Sequence, residues 1–157
     1  MARYQTDMAD LPRLDGAVVH ILSSRIHWDA AVRNLTEACA AALERLGAKT
    51  VTHILPGSLE LPLAAQVVAD RYHPDAIVCL GVLVKGETFH FEMVYEEVGR
   101  GLGEVSRRFG IPILSEVLPV LRLEDAVARS APDGFNKGLE AASAAAQMIG
   151  WLRGLPA

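Results

Sequence analysis

The sequence predicts an α/β fold, a three-layer sandwich in which a four-stranded parallel sheet is flanked by helices on both faces. Three observations predict it. Short β-rich apolar runs alternate with helical stripes in the order β-α-β-α-β-α-β-α-α, and parallel neighbours need right-handed crossovers that cover both sides of a sheet. The run Ala76 to Val84 is apolar almost throughout, as in a strand buried on both faces. The length of 157 residues suits one domain that buries roughly two thirds of its unfolded surface. The chain is therefore expected to be a single domain over 1–157, with residues 1–15 as an N-terminal extension.

Each element has its own signal. Ala17 to Leu22 is a β-rich run ending in Ser23 and Ser24, a buried strand feeding a loop. Ala31, Leu35, Cys39, Ala42 and Leu46 then recur at helical spacing, with Asp29 as a start signal and Gly47 as a stop. Val51 to Leu55 is the second strand, broken by Pro56-Gly57, and Pro62 opens a helix through about Arg71. After the third strand, Lys85 to His90 interrupts the apolar run. Met93, Val98, Leu102, Val105 and Phe109 form the next helical stripe, closed by Gly110. Ile111 to Leu118 gives a fourth strand, Glu124 to Ser130 a short helix, and Lys137 to Leu152 an Ala-rich final helix.

Composition excludes several classes. Fifteen basic against nineteen acidic residues give a net charge of −4, without the clustered basic face that nucleic-acid binding needs, so no nucleic-acid partner is expected. Cys39 and Cys79 sit in apolar stretches without metal-type spacing, and both read as core residues in a reducing compartment. The acidic residues Asp7, Asp10 and Asp15 and the lack of a long apolar run argue against a signal peptide or membrane span, so a cytoplasmic protein is expected.

In open parallel sheets, ligands sit beyond the carboxyl ends of the strands. Four segments lie there: Ser23 to Asp29, Pro56 to Leu61, Lys85 to His90, and the stretch after Leu118. Lys85-Gly86-Glu87-Thr88-Phe89-His90 joins the longest strand to a helix, so its N–H groups can meet an anion at a positive helix end. It reads equally as a capped turn with a solvated His. Glu60, between Pro56 and Pro62, either accepts hydrogen bonds from a polyol or serves the first turn of its helix. Arg129 and Lys137, separated by the turn residues Pro132, Asp133 and Gly134, are otherwise ordinary solvated helix charges. Arg25, His27 and Trp28 are ambiguous between core, interface and ring stacking.

Together these segments are more specific. GVLVKGETFHFEMV, with LPGSLELPLAAQ before it and FNKGLEAASAA after it, resembles the 6,7-dimethyl-8-ribityllumazine synthase family of riboflavin biosynthesis over about residues 17–150. The resemblance implies a flavodoxin-like fold and a transferase that condenses 5-amino-6-(D-ribitylamino)uracil with 3,4-dihydroxy-2-butanone 4-phosphate, without an organic cofactor or a metal. It implies that Gly86, Glu87 and Thr88 hold the phosphate with Arg129, whose planar fork suits phosphate oxygens. His90 takes the proton-transfer position, since an imidazole can accept and return a proton at working pH. Glu60 falls where ribityl hydroxyls bind, with neighbouring backbone from Ser58 and Leu59. Val82, Leu83 and Val84 hold the heterocycle through their backbone, and Lys137 reaches the pyrimidine end. Such a site works by orienting two substrates and moving protons, without a strong nucleophile.

The sequence also departs from the family pattern. Ile26 stands where an aromatic residue commonly stacks on the pyrimidine, leaving either Ile26 as an apolar wall or Trp28 to swing in, with His27 between them. Ser115, at the end of the fourth strand, stands where a bulky apolar residue, often aromatic or Leu, is usual, and Glu116 replaces a small one beside it. Phe135 precedes the Asn-Lys-Gly unit where a smaller or polar residue is usual. An extra carboxylate at Glu116, if near the phosphate, is expected to repel the substrate. The resemblance further implies a homo-pentamer with sites between neighbouring subunits, or a higher multiple such as a decamer or 60-mer shell, with riboflavin synthase as a candidate partner and no membrane association. The alternative expectation is a lumazine- or flavin-binding or shell-forming paralogue with weak or no condensation activity, motivated by Ile26, Ser115 and Glu116.

Overall fold

A computed structural model describes residues 5–157, so the first four residues of the expected extension lie outside the described residues. The strands are β1 (Val18–Ser24), β2 (Lys49–Leu55), β3 (Ala76–Val84) and β4 (Ile113–Val120). The longer helices are α1 (Arg33–Arg45), α2 (Leu61–Tyr72), α3 (His90–Phe109) and α5 (Lys137–Arg153), with a short α4 (Leu123–Arg129) after β4. All strand pairs are parallel, in the order β2-β1-β3-β4.

Period-two alternation divides the apolar residues between two cores. Val78 and Leu80 of β3 pack with Leu35 and Leu43 of α1 and with Ala145 and Ile149 of α5. Their neighbours Ile77 and Cys79 pack on the opposite face, with Ala65 and Val68 of α2 and with Val98 and Leu102 of α3. This is the flavodoxin-like three-layer sandwich. Cys39 and Cys79 lie in different cores, free and fully buried, and burial pushes both thiols well above their usual range. Among the described residues no helix is long and apolar enough to cross a membrane.

Boundaries move where a local signal misleads. Asp29 does not start the first helix. His27 adopts a left-handed backbone (φ 59°), one π-helical turn spans Trp28–Val32, and Asp29 pairs with Arg33 one turn further on. α1 ends before Gly47, with Leu46 as its cap. β2 starts earlier than its apolar run because Lys49 N donates to the Ala17 carbonyl at 2.9 Å and joins the ladder. β4 runs two residues past Leu118. Pro119 does not end it, because β4 is an edge strand on which a residue without an N–H can face outward.

The sheet order makes a crevice. The connection from β1 leads outward to β2 and the chain then returns to β3 on the other side, so the carboxyl ends of β1 and β3 are the switch point at which such sheets bind ligands.

Candidate active site

A cleft of about 470 Å³ opens at that point. Three strand ends build it. From β1, Ser24 Oγ accepts from Ile26 N at 3.2 Å, and the left-handed turn at His27 follows. Ile26, half-exposed, becomes an apolar wall of the cleft, and His27 also lines it. Trp28 does not. It packs against the α1/α5 core with the Arg33 guanidinium 6.0 Å from its ring, so the two alternatives for a wall resolve toward Ile26 within this chain.

From β2, a single 3-10 turn over Ser58–Glu60 leads into α2. Glu60 is exposed at the mouth of the cleft. Its carboxylate lies over Gly57, where an added Cβ would sit 3.0 Å from Oε2. Ser58 is buried, and its Oγ has no hydrogen-bond partner among the described residues. Gly81 of β3 allows this close packing, since a Cβ there would stand 2.9 Å from Ser58 Oγ.

From β3, Val82, Leu83 and Val84 floor the cleft, and the turn Gly86–Thr88 carries the chain into α3. His90 is the first residue of α3, so the free N–H groups of a 20-residue helix converge where Gly86 and Thr88 line the cleft. Only a long 3.4 Å contact from His90 N engages Thr88 Oγ1. Lys85, the basic residue of this turn, is not among the residues lining the cleft. It forms an ion pair with Glu92 and lies 5.4 Å from the Phe91 ring, bracing the turn and holding the Glu92 carboxyl below its usual range. Glu87 is not among the side chains lining the cleft.

The remaining residues lie elsewhere on the same chain. Arg129 ends α4, and its Nη1 donates to the Asp125 carbonyl at 2.9 Å. Lys137 opens α5 and forms an ion pair with Glu140. Ser115 is exposed on β4 beside Tyr95 and Glu96 of α3, in a separate depression. Glu116 lines the same depression and also borders α5, and it is not among the residues around the phosphate turn of its own chain. Burial and the neighbouring Glu140 carboxylate push its carboxyl up to about 7. The expectation that it repels phosphate is therefore not met within one chain.

One residue that shapes this loop was not singled out in the sequence reading. Asn136 is buried between Arg129 and Lys137 and uses its whole amide. Oδ1 accepts from Gly138 N at 2.7 Å, and Nδ2 donates to the Ser130 and Ala131 carbonyls at 2.9 and 3.0 Å. An Asn directly before an Ala-rich helix is a recognisable N-cap, and that was the available signal.

A profile of the 6,7-dimethyl-8-ribityllumazine synthase family matches residues 16–153. The chain is 36% identical to a 6,7-dimethyl-8-ribityllumazine synthase of Verminephrobacter eiseniae, over 97% of this chain and 99% of that one. It is 36% identical to the corresponding protein of Acidovorax sp. over 97% of this chain and 99% of that protein. Against that of Paraburkholderia phymatum it is 39% identical over 85% of this chain and 77% of that protein.

Proposed function

With the chain belonging to the 6,7-dimethyl-8-ribityllumazine synthase family, we propose that the strand-end cleft is where it condenses 5-amino-6-(D-ribitylamino)uracil with 3,4-dihydroxy-2-butanone 4-phosphate, releasing phosphate and water. The observation that carries this reading is the meeting of Glu60, Thr88 and His90 around one opening at the carboxyl ends of β2 and β3.

The chemistry follows from what each group can do. The phosphate sits on the Gly86–Thr88 turn, where backbone N–H groups and the Thr88 hydroxyl donate to its oxygens and the α3 N-terminus favours negative charge. His90, one turn away, takes a proton during imine formation and returns one as phosphate leaves. Glu60 accepts from ribityl hydroxyls at the other end of the cleft. The backbone of Val82 to Val84, which line the cleft, meets the polar edge of the pyrimidine, and Ile26 covers its face, with less stacking than an aromatic residue supplies, a difference of about 0.5–1.5 kcal/mol. No group need be a strong nucleophile, because the amine of the substrate performs the attack and the site supplies orientation.

Arg129, Lys137 and Ser115 enter the site from a second copy of the chain. The split of the expected residues over two surfaces supports this, because a heterologous contact that closes into a ring brings two different surfaces together at every junction. A pentamer satisfies that geometry, and the exposed side chains of Leu63, Met93 and Phe89 on α2, α3 and the turn before α3 supply apolar area for such a contact.

Incubating the purified protein with both substrates tests the assignment. Fluorescent lumazine is expected well above the uncatalysed background, and product at background level overturns the reading. The Arg129→Ala variant is expected to raise KM for the phosphorylated substrate selectively, by an amount corresponding to a charged hydrogen bond of about 1.5–3 kcal/mol.

A further inference from the structure

The turn between β3 and α3 is bridged at its base by two opposite charges that do not line the cleft. Lys85 follows the last residue of β3, and its backbone N donates to the Val120 carbonyl of β4 at 2.9 Å, which fixes it to the sheet. Glu92 is the third residue of α3 and stands in the first turn of that helix. Lys85 Nζ donates to Glu92 Oε1, and the ammonium lies 5.4 Å from the ring of Phe91, which does line the cleft. Glu92 Oε2 is buried and has no hydrogen-bond partner among the described residues. Glu92 also borders a depression with Glu96, Glu97 and Arg100, and Arg100 is engaged by Glu97 and Glu104. Glu87, exposed in the turn itself, adds a further carboxylate.

Both side chains of the pair are more than a third exposed, and an ion pair so open to water contributes little to stability. Its consequence lies in where the charges stand. The N-terminus of α3 favours negative charge, and Glu92 already places a carboxylate in that first turn, so a phosphate arriving at Gly86–Thr88 meets a like charge at the same helix end. The unpartnered Oε2 receives no protein donor that would offset it. We propose that Lys85 is an affinity-determining residue for the phosphorylated substrate, cancelling the Glu92 carboxylate so that the helix end and the N–H groups of the turn act on phosphate unopposed. The proposal rests on the reading that the Gly86–Thr88 turn binds phosphate. Neither Lys85 nor Glu92 lines the cleft, so both act through the field at the turn, which physiological salt screens with a Debye length of about 8 Å. Charge balance and mechanical bracing then differ in sign at Glu92. Removing the carboxylate strengthens phosphate binding in the first case and weakens it in the second.

The test is a two-residue cycle of Lys85→Met, Glu92→Gln and the double variant, read as KM for each substrate and as Kd for inorganic phosphate by calorimetry. Lys85→Met leaves a carboxylate uncompensated, and KM for the phosphorylated ketone and Kd for phosphate are expected to rise on the order of fivefold. Glu92→Gln leaves an ammonium uncompensated, so both values are expected to fall below those of the wild type. The double variant carries neither charge and is expected within about twofold of the wild type. Lys85→Arg keeps the charge and is expected to match the wild type, and KM for the pyrimidine stays unchanged in every variant. Because both groups are open to solvent, the differences between variants are expected to shrink as salt rises from about 0.05 M to about 0.5 M. Equal weakening of phosphate binding in both single variants and the double, without salt dependence, is the signature of a brace and overturns the proposal. An unchanged phosphate Kd in Lys85→Met overturns it as well. A wild type that binds no phosphate removes the premise and the proposal together. Phosphate binding with the expected pattern but without lumazine formation supports the proposal and overturns the broader functional reading instead.

Discussion

Replacing Asn136 by Ala removes the device that holds the loop between α4 and α5 in shape. The side chain is 2% exposed and makes three hydrogen bonds, one to the α5 N-terminus and two to carbonyls at the end of α4. Losing the N-cap alone costs about 1 kcal/mol. Ser130 is fully buried, so its carbonyl is left without solvent and costs about 1–3 kcal/mol more, while half-buried Ala131 recovers part of its loss from water. The sum is about 3 kcal/mol, to be read from urea denaturation near neutral pH as a lowered midpoint at unchanged slope. Asn136→Asp separates the two functions of the amide. It keeps an oxygen for Gly138 N but turns a carboxylate toward two carbonyl oxygens, so at neutral pH it is expected to be at least as unstable as Asn136→Ala, despite the preserved cap. Acidification protonates that carboxyl and returns one donor, so the deficit should narrow at low pH. A cost below about 1 kcal/mol for Ala, or wild-type stability for Asp, refutes this assignment of the amide's partners.

Two other outcomes follow from the geometry. His20 is 4% exposed on β1, with Nδ1 2.9 Å from His53 Nε2 and its ring stacked between those of His53 and Tyr72. Burial, then the His53 charge, lowers its pKa, so the fold holds it neutral while the unfolded chain takes up a proton. This stability is present above about pH 6.5 and lost as pH falls, and the urea midpoint is expected to drop on acidification with a slope that His20→Phe reduces whatever its absolute stability. An equal slope in the variant refutes the assignment. If His90 and Arg129 meet only across copies, mixing unfolded His90→Ala and Arg129→Ala chains and refolding them together restores native pairs at about a quarter of the junctions of a random ring. Recovered lumazine formation is expected from the mixture and from neither variant alone, whereas an inactive mixture that assembles into rings refutes a shared site.

What could be read from the sequence depended on how local each determinant is. The β3 run and the α3 stripe are local periodicities, and both elements form at those positions. The cleft was legible because a parallel sheet gathers its strand ends regardless of loop detail, and so Ile26, Glu60 and His90 come together although 64 residues of chain separate the first from the last. Trp28 was not legible, because its direction depends on the left-handed turn at His27, which no residue type there announces. Ser115 and Glu116 show the same limit more sharply. As adjacent departures they read as one alteration of one pocket, and both do line the depression beside α3, but Glu116 also borders a cavity against α5 that Ser115 does not. Of the two, Glu116 alone borders the α5 cavity, so a substitution there should alter the α5 side in a way that a substitution at Ser115 does not. A similar limit applies to Arg129 and Lys137. Their spacing is visible in the sequence, but within one chain neither lines the cleft, and under the proposed shared site the surface they complete depends on how two folded copies meet, which no local pattern encodes.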